Sequence, residues 1–181
     1  MQRVVVTAFG PDRRGIVATV TGVLVRRGAN LADTAMTNLA GQFAMVLVVD
    51  LPGDEAVEAL EAALAAETRA LGLTVTVRPL DDDERPPEAP AEATAWSVSV
   101  YGADQPGIVH RVTTVLAASE ANIVDLTTRV IGTPDDPVYV MLLQVALPPG
   151  VGAEDLRAAL DVVAADLGVE VHLRPNDADI L

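Results

Sequence analysis

The sequence lacks cysteine and is poor in aromatic and basic residues. Without cysteine the chain has no disulfide, no thiolate nucleophile and no cysteine-ligated metal, and it gives no sign of an oxidising compartment. Aromatic residues make up 3% of the 181 residues while half are apolar, so any core is built from Val, Leu, Ile and Ala. The 12 basic against 26 acidic residues give a net charge of −14, which disfavours direct binding to nucleic acid.

Long uncharged apolar runs are also missing. The N-terminus, MQRVVVTAFGPDRRG, has only a short apolar run that polar and charged residues interrupt, so we expect neither a signal peptide nor a membrane span. The amphipathic segments carry glutamates on a face that would repel anionic lipid. These absences predict a cytoplasmic protein with no membrane partner.

The chain repeats itself. FGPDRRGIVATV at 9–20 matches YGADQPGIVHRV at 101–112 with an offset of 92, and the match continues to GANLAD and EANIVD. From Leu51 and Leu147 onward the offset is 96. The extra residues lie near 132–137, where the sequence predicts a longer hairpin turn.

Between the copies lies an acidic segment rich in proline with almost no apolar residue, which predicts an extended linker at 81–93. We therefore expect two domains, at 1–80 and 94–181. In each domain, alternating apolar residues predict a first strand and apolar residues at helical spacing predict a first helix. Two strands joined at a turn follow, then a second helix that ends at glycine and a last strand that ends at proline. The order βαββαβ predicts an α+β class: two ferredoxin-like domains, each a four-stranded antiparallel sheet with both helices on one face.

The repeated motif reads G-x-D-x-x-G-I-V and is followed by asparagine, Asn30 or Asn122. Glycine lets the backbone approach a neighbour closely, and the helix start behind it exposes N–H groups suited to a carboxylate. The aspartates, Asp12 and Asp104, either cap the helix or accept from a ligand ammonium. We expect the asparagines beside the motif, where they would complete an α-amino-acid site. For a single such loop, ordinary turn chemistry is the better explanation.

With Ala-Asn-Leu/Ile after each motif, the two copies resemble the ACT domain, a regulatory βαββαβ module that binds amino acids. Tandem copies resemble the glycine cleavage system transcriptional repressor group of ACT proteins. In this family paired domains form an eight-stranded sheet, and ligands lie between one copy's glycine loop and its neighbour. The resemblance implies that the ligand-binding residues are Asp12, Gly15, Ile16, Asn30, Leu31, Asp104, Gly107, Ile108, Asn122 and Ile123.

The chain departs from the serine-binding ACT domain of phosphoglycerate dehydrogenase at one position of the motif. Gly10 and Gly102 stand where that module has a histidine, which puts serine specificity in question. The first copy has Arg13-Arg14 at the positions where the second has Gln105-Pro106, so we expect the two sites to differ. An arginine here would bind the carboxylate of the ligand. The alternative is that these exposed charges serve only to keep the protein soluble.

No residue set predicts catalysis, a metal or a cofactor. The two histidines are far apart in the sequence and form no metal-ligand pattern. We expect a non-enzymatic sensor that binds a small amino acid, such as glycine or serine, and modulates a protein partner, either a transcription regulator or a metabolic enzyme. We also expect a homo-oligomer, with a dimer favoured. The alternative is a protein-interaction module that needs no ligand.

Overall fold

The computed structural model describes residues 1–53, 55–80, 93–133 and 135–176. The predicted linker at 81–93 lies outside the described residues except for Ala93. The chain divides into two units, Met1–Arg85 and Pro86–Leu181. Each unit is built on the predicted βαββαβ plan, and the two are described separately below.

The first domain contains β1 (Gln2–Pro11), α1 (Ile16–Arg26), β2 (Asn30–Leu39), β3 (Gln42–Leu51), α2 (Val57–Thr68) and β4 (Thr74–Pro79). A short 3₁₀ turn, Arg69–Leu71, follows α2 and ends at Gly72 in the left-handed conformation. The antiparallel sheet has the strand order β2-β3-β1-β4. This is the predicted ferredoxin-like order.

The second domain contains β5 (Thr94–Gly102), α3 (Ile108–Ala118), β6 (Asn122–Thr133), β7 (Asp136–Leu147), α4 (Ala153–Leu167) and β8 (Glu170–Pro175). Its sheet has the equivalent order β6-β7-β5-β8. The α+β class and the two ferredoxin-like sheets are therefore confirmed.

Each domain has its own aliphatic core between its helices and one face of its sheet. Alternate residues of β1 and β3 are buried, as the period of two in a strand requires. Leu47 and Leu143, at equivalent positions of β3 and β7, are 0% and 1% exposed. The sparse aromatic content is thus offset by tightly buried Val, Leu and Ile, including Ile16, Val20, Leu24, Leu60 and Leu64 in the first core.

The extra residues of the second copy lengthen strands rather than the turn. β6 and β7 have 12 residues each, against 10 each in β2 and β3. Gln42 follows Leu39, and Asp136 follows Thr133, after two intervening residues in both hairpins. The expectation of a longer turn was wrong, because cross-strand pairing continues through Gly132 and Pro137.

Candidate functional site

The first glycine loop, residues 10–15, joins β1 to α1. Gly15 is the N-cap of α1 and has φ 88°, in the left-handed region that glycine adopts readily. No side chain caps the helix, and a Cβ built on Gly15 meets nothing within 4 Å. The first-turn N–H groups of α1 therefore start at an open surface, which suits a carboxylate.

Asp12 is bonded to the neighbouring hairpin instead of capping α1. Its backbone N–H donates to the Gly41 carbonyl at 2.9 Å, and its Oδ2 accepts from the Asn38 amide at 2.6 Å. Asn38 lies near the end of β2, directly before the turn to β3. Of the two roles expected for this aspartate, helix capping is not what the structure shows.

Arg13 and Arg14 lie beside Asp12 and are exposed. Within the described residues neither arginine forms an ion pair or a side-chain hydrogen bond. Two unpaired guanidinium groups next to a helix N-terminus make this loop locally positive, although the whole chain is acidic.

The second glycine loop, residues 102–107, also begins its helix from a left-handed glycine, but its other contacts differ. Gly107 is the N-cap of α3, with φ 99° and open space at its Cβ. The Gln105 amide donates to the Leu167 carbonyl, which turns that side chain toward the end of α4. Asp104 is exposed and, among the residues described, its carboxylate accepts no hydrogen bond.

Tyr139 is the buried neighbour of the second glycine loop, and it pairs with Gly102 across β5 and β7. Burial raises the pKa of Tyr139 above its ordinary value of 10.0, a hydrogen bond with Thr128 opposes the rise, and the Asp104 charge adds to it. The hydroxyl is thus neutral at physiological pH. Phe43 occupies the equivalent position of the first domain and has no polar group there.

Asn30 and Asn122 do not lie beside the glycine loops of their own domains. Asn30 opens β2 opposite Asp50, whereas the first glycine loop is level with Gln42 and the hairpin turn. Asn38, at the loop, is eight residues further along β2, about 25 Å away at the usual rise of a strand. The expectation that helix and loop bring the asparagine to the motif was wrong, because α1 returns the chain to the far end of the sheet.

The asparagines are also not the left-handed residues that end the first helices. That conformation belongs to Gly28, with φ 65°, and to Glu120, with φ 54°. Asn30 and Asn122 are exposed strand residues, and each precedes a bulge that follows Leu31 or Ile123. Ordinary helix-ending chemistry therefore does not account for these asparagines.

The remaining predicted site residues have different accessibilities. Ile16 and Ile108 are 2% and 1% exposed and belong to the cores, so their side chains are not available to a ligand. Leu31 is 37% exposed. Ile123 is half-buried and packs against the second core.

Gly10 and Gly102 leave no room for the histidine of the serine-binding module. A Cβ on Gly10 would lie 2.6 Å from the Gly72 carbonyl oxygen, and one on Gly102 would lie 2.7 Å from Val169 Cγ1. The turn after the second helix of each domain fills the space that such a side chain needs. A histidine at position 10 would therefore require the backbone at Gly72 to move, and one at position 102 would require Val169 to move.

Sequence reasoning missed the hairpin residues that face each loop. Asn38 pairs with Phe43 in the first domain, and Val130 pairs with Tyr139 at the same place in the second. These positions carry no motif of their own. The repeat offset could have aligned Asn38 with Val130, but only the sheet register brings them to the glycine loops.

The sheet faces opposite the helices also differ. In the second domain a groove of about 480 Å³ runs across this face and includes Tyr101, Asp125, Arg129, Leu142 and Gln144. The corresponding depression in the first domain has about 120 Å³. Neighbouring side chains on this first-domain face are apolar and exposed: Phe9 is 50% and Val46 is 46% exposed.

The two edges of each sheet are unequal. At β4, Glu61 of α2 accepts from the Val77 N–H at 2.9 Å, and at β8, Arg157 of α4 donates to the Leu173 carbonyl at 3.1 Å. Every residue of β2, at the opposite edge, is exposed. Side chains of α2 and α4 thus form hydrogen bonds with the backbone of β4 and β8, whereas β2 is exposed along its whole length and β6 along most of it.

Neither a membrane-spanning helix nor a metal-binding cluster is present among the described residues. Among these residues, no helix is long and apolar enough to cross a membrane. No group of three or more His, Asp or Glu side chains is placed to hold a metal ion in the same part of the chain.

Two βαββαβ domains, each with a glycine loop before its first helix, define a tandem protein of the ferredoxin-like α+β class. The family model for the ACT domain matches residues 2–78 and 97–174, so this chain belongs to the ACT domain family. The predicted tandem ACT architecture is confirmed.

Similar proteins include both tandem and shorter ones. The glycine cleavage system transcriptional repressor of Escherichia coli (strain K12) is 27% identical over 169 residues, covering 92% of this chain and 86% of that protein. A protein from Galdieria sulphuraria of known crystal structure is 30% identical, with a TM-score of 0.82 and coverage of 97% of this chain and 98% of that one. A UPF0237 protein from Methanopyrus kandleri is 43% identical over 79 residues, which cover 43% of this chain and 88% of that protein.

Proposed function

We propose that this protein is a non-enzymatic regulator that binds a small amino acid, such as glycine or serine, between paired ACT domains. Membership of the ACT family supports amino-acid sensing. The observation that carries the proposal is the pair of uncapped helix N-termini behind Gly15 and Gly107, where the loop surface is open. Backbone N–H groups at such a terminus bind a carboxylate, which every α-amino acid has.

The separation of Asn30 from the first glycine loop supports a site made by two domains. β2 and β6 are the equivalent edge strands of the two domains. When two sheets join through such edge strands in antiparallel orientation, the start of one strand lies beside the end of the other. An asparagine from one domain then approaches the glycine loop of its neighbour. The exposed β2 edge and the occupied β4 edge favour pairing in this direction. The neighbour is the other ACT domain or a second chain in a homodimer.

Ligand binding at such an interface changes the relative stability of paired and unpaired arrangements. A coupling of about 1–3 kcal/mol is enough to alter the affinity for a protein partner. Because the similar Escherichia coli protein is a glycine cleavage system transcriptional repressor, we propose a transcription regulator or a metabolic enzyme of glycine metabolism as that partner. The net charge of −14 favours action through a protein rather than directly on DNA.

Isothermal titration of the full chain against each of the twenty amino acids tests this function. We expect saturable heat and a rise in melting temperature with at least one small amino acid, because a ligand that binds the folded state stabilises it. Absence of both effects with all twenty would contradict the proposal.

A ligand-independent interaction module is the second candidate. The exposed apolar side chains of Phe9 and Val46 on the open sheet face of the first domain favour it, because such faces are often covered by a partner. This alternative predicts that a partner co-purifies in equal amount with and without amino acids, and that Val46→Thr weakens the complex.

A further inference from the structure

The residue that faces the aspartate of each glycine loop differs between the domains. Asn38 and Val130 occupy equivalent register positions, because each pairs with the aromatic residue of the adjacent strand, Phe43 or Tyr139; the β6–β7 hairpin continues two pairs further than the β2–β3 hairpin before its turn. Asn38 brings an amide to within 2.6 Å of the Asp12 carboxylate. Val130 has no donor, and within the described residues the Asp104 carboxylate accepts no hydrogen bond.

The charge beside each aspartate differs in the same direction. The first glycine loop contains Asp12, Arg13 and Arg14, with a net charge of +1. The second contains Asp104 with neutral neighbours, Gln105 and Pro106, and has a net charge of −1. The Gln105 amide, the nearest donor in sequence, is bonded to the Leu167 carbonyl instead.

The neutral hydroxyl of Tyr139 leaves Asp104 as the only charged group of the second glycine loop. A carboxylate without a bound donor, next to an open helix N-terminus, presents an acceptor for an ammonium and donors for a carboxylate. In the first glycine loop the acceptor is shared with Asn38, and the adjacent guanidinium groups repel a cation.

We propose that Asn38 and Val130 are specificity-determining residues: Val130 leaves Asp104 free to bind the ammonium of an amino acid, and Asn38 withholds Asp12 from that role. The second glycine loop recognises the whole zwitterion. The first, with Arg13 and Arg14, prefers a carboxylate without an ammonium. This inference rests on the proposed amino-acid binding.

Calorimetric titration of the full chain with glycine and with glycolate tests the assignment, because glycolate replaces the ammonium by a hydroxyl. Serine and glycerate form a second pair of probes. We expect Asp104→Asn to weaken amino-acid binding at least tenfold and to leave the hydroxy acids within about threefold, since a charge-assisted bond is lost only for the ammonium. Asp12→Asn should change amino-acid binding by less than about threefold.

Reciprocal exchange of the hairpin residues provides the sharper test. Val130→Asn, which supplies an amide to Asp104, should weaken amino-acid binding several-fold, and Val130→Leu is the matched control without a donor. Asn38→Val frees Asp12, and with Arg13→Gln it should strengthen amino-acid binding at the first glycine loop. Circular dichroism checks that these exposed changes leave the fold intact.

Equal losses from Asp12→Asn and Asp104→Asn, or the same result from Val130→Asn and Val130→Leu, would overturn this inference. Failure of glycine and serine to bind the unaltered chain would also overturn it. Heat with another of the twenty amino acids would then still support the proposed function, so the two failures are distinguishable.

Discussion

The two ACT domains have equivalent aliphatic cores and the same left-handed glycine before the first helix, but they differ in the side chains around each glycine loop. Phe43 and Tyr139 occupy the same strand position, and only the tyrosine carries a hydroxyl. Asn38 binds Asp12, whereas Val130 leaves Asp104 without an equivalent donor. Buried aliphatic residues thus set the shared fold, and under the proposed function a few hairpin side chains set the ligand preference.

Breaking one core should affect mainly its own domain, because the two clusters of buried residues are separate. Leu143→Ala should lower the free energy of unfolding by about 2–5 kcal/mol through the cavity it creates. The single tryptophan, Trp96, packs against the second core and reports this transition by fluorescence. The matched Leu47→Ala should leave the Trp96 midpoint nearly unchanged; equal shifts would show that the domains unfold as one.

Gly10→Ala and Gly102→Ala test the position in each loop where a Cβ has no room. Each should cost about 1–3 kcal/mol, as overpacking does. Gly10→Ala should cost more, because its Cβ meets the Gly72 carbonyl of the backbone, while at Gly102 the Val169 side chain can move. Thermal unfolding followed by circular dichroism measures both, and a Gly10→Ala variant as stable as the parent would contradict the packing argument.

Gly15→Ala and Gly107→Ala test the position in each loop where a Cβ meets no neighbouring atom. Both should cost about 1–2 kcal/mol of stability, because their positive φ angles strain an L-residue while their Cβ atoms meet nothing. Binding should separate them: we expect Gly107→Ala to weaken glycine binding more than Gly15→Ala. Equal losses of binding in calorimetry would argue against the asymmetry of the two loops.

The Arg3–Asp50 ion pair makes the stability of the first domain depend on acid, and it has no counterpart at the equivalent positions of the second domain, which are Ala95 and Ala146. The hydrogen bond from Arg3 holds the pKa of Asp50 below its ordinary value of 3.8. Its stabilisation is therefore complete above that value and is lost as the pH falls through the lowered pKa.

Asp50→Asn should accordingly reduce stability at pH 7. In strong acid the substitution should cease to matter, because the aspartic acid at position 50 is then protonated and as neutral as asparagine. Urea unfolding at a series of pH values measures the difference. A difference that does not change with pH would contradict the ionic origin of the effect.

Asp104→Asn should lower the pKa of Tyr139 slightly, by removing a negative charge that opposes the phenolate. In a Tyr101→Phe background Tyr139 is the remaining tyrosine, and its phenolate absorbance gives the titration. Because the pKa is raised in the folded state, the neutral hydroxyl contributes stability below its ordinary pKa, and this is lost as the pH rises through the raised value. An unchanged titration would place Asp104 too far away to matter.

The fold could be predicted from the sequence because its signals are local and occur in both copies of the repeat. Alternation at Val4, Val6 and Ala8 identifies a half-buried strand, and Gly168 ends α4 as a left-handed cap. The hairpin of the second domain was less predictable, because an insertion does not reveal whether it lengthens a turn or extends the pairing of both strands.

The candidate site was only partly predictable. Gly15 and Gly107 follow from the motif, but the placement of Asn30 depends on which way α1 returns the chain, and the bond between Asn38 and Asp12 joins residues 26 positions apart. Such contacts depend on sheet register, and the alternation of apolar residues excludes a shift of one residue but not a shift of two. The repeat itself did indicate that the loops differ, through Arg13-Arg14 and Gln105-Pro106.

Backbone NMR of the full chain titrated with glycine and serine tests the central claim most directly, because it locates binding residue by residue. We predict saturable amide shifts at the second glycine loop, the first turn of α3 and the start of a β2-type edge strand, with smaller shifts at the first glycine loop. Shifts confined to the first glycine loop, or no shifts with either amino acid, would contradict the account.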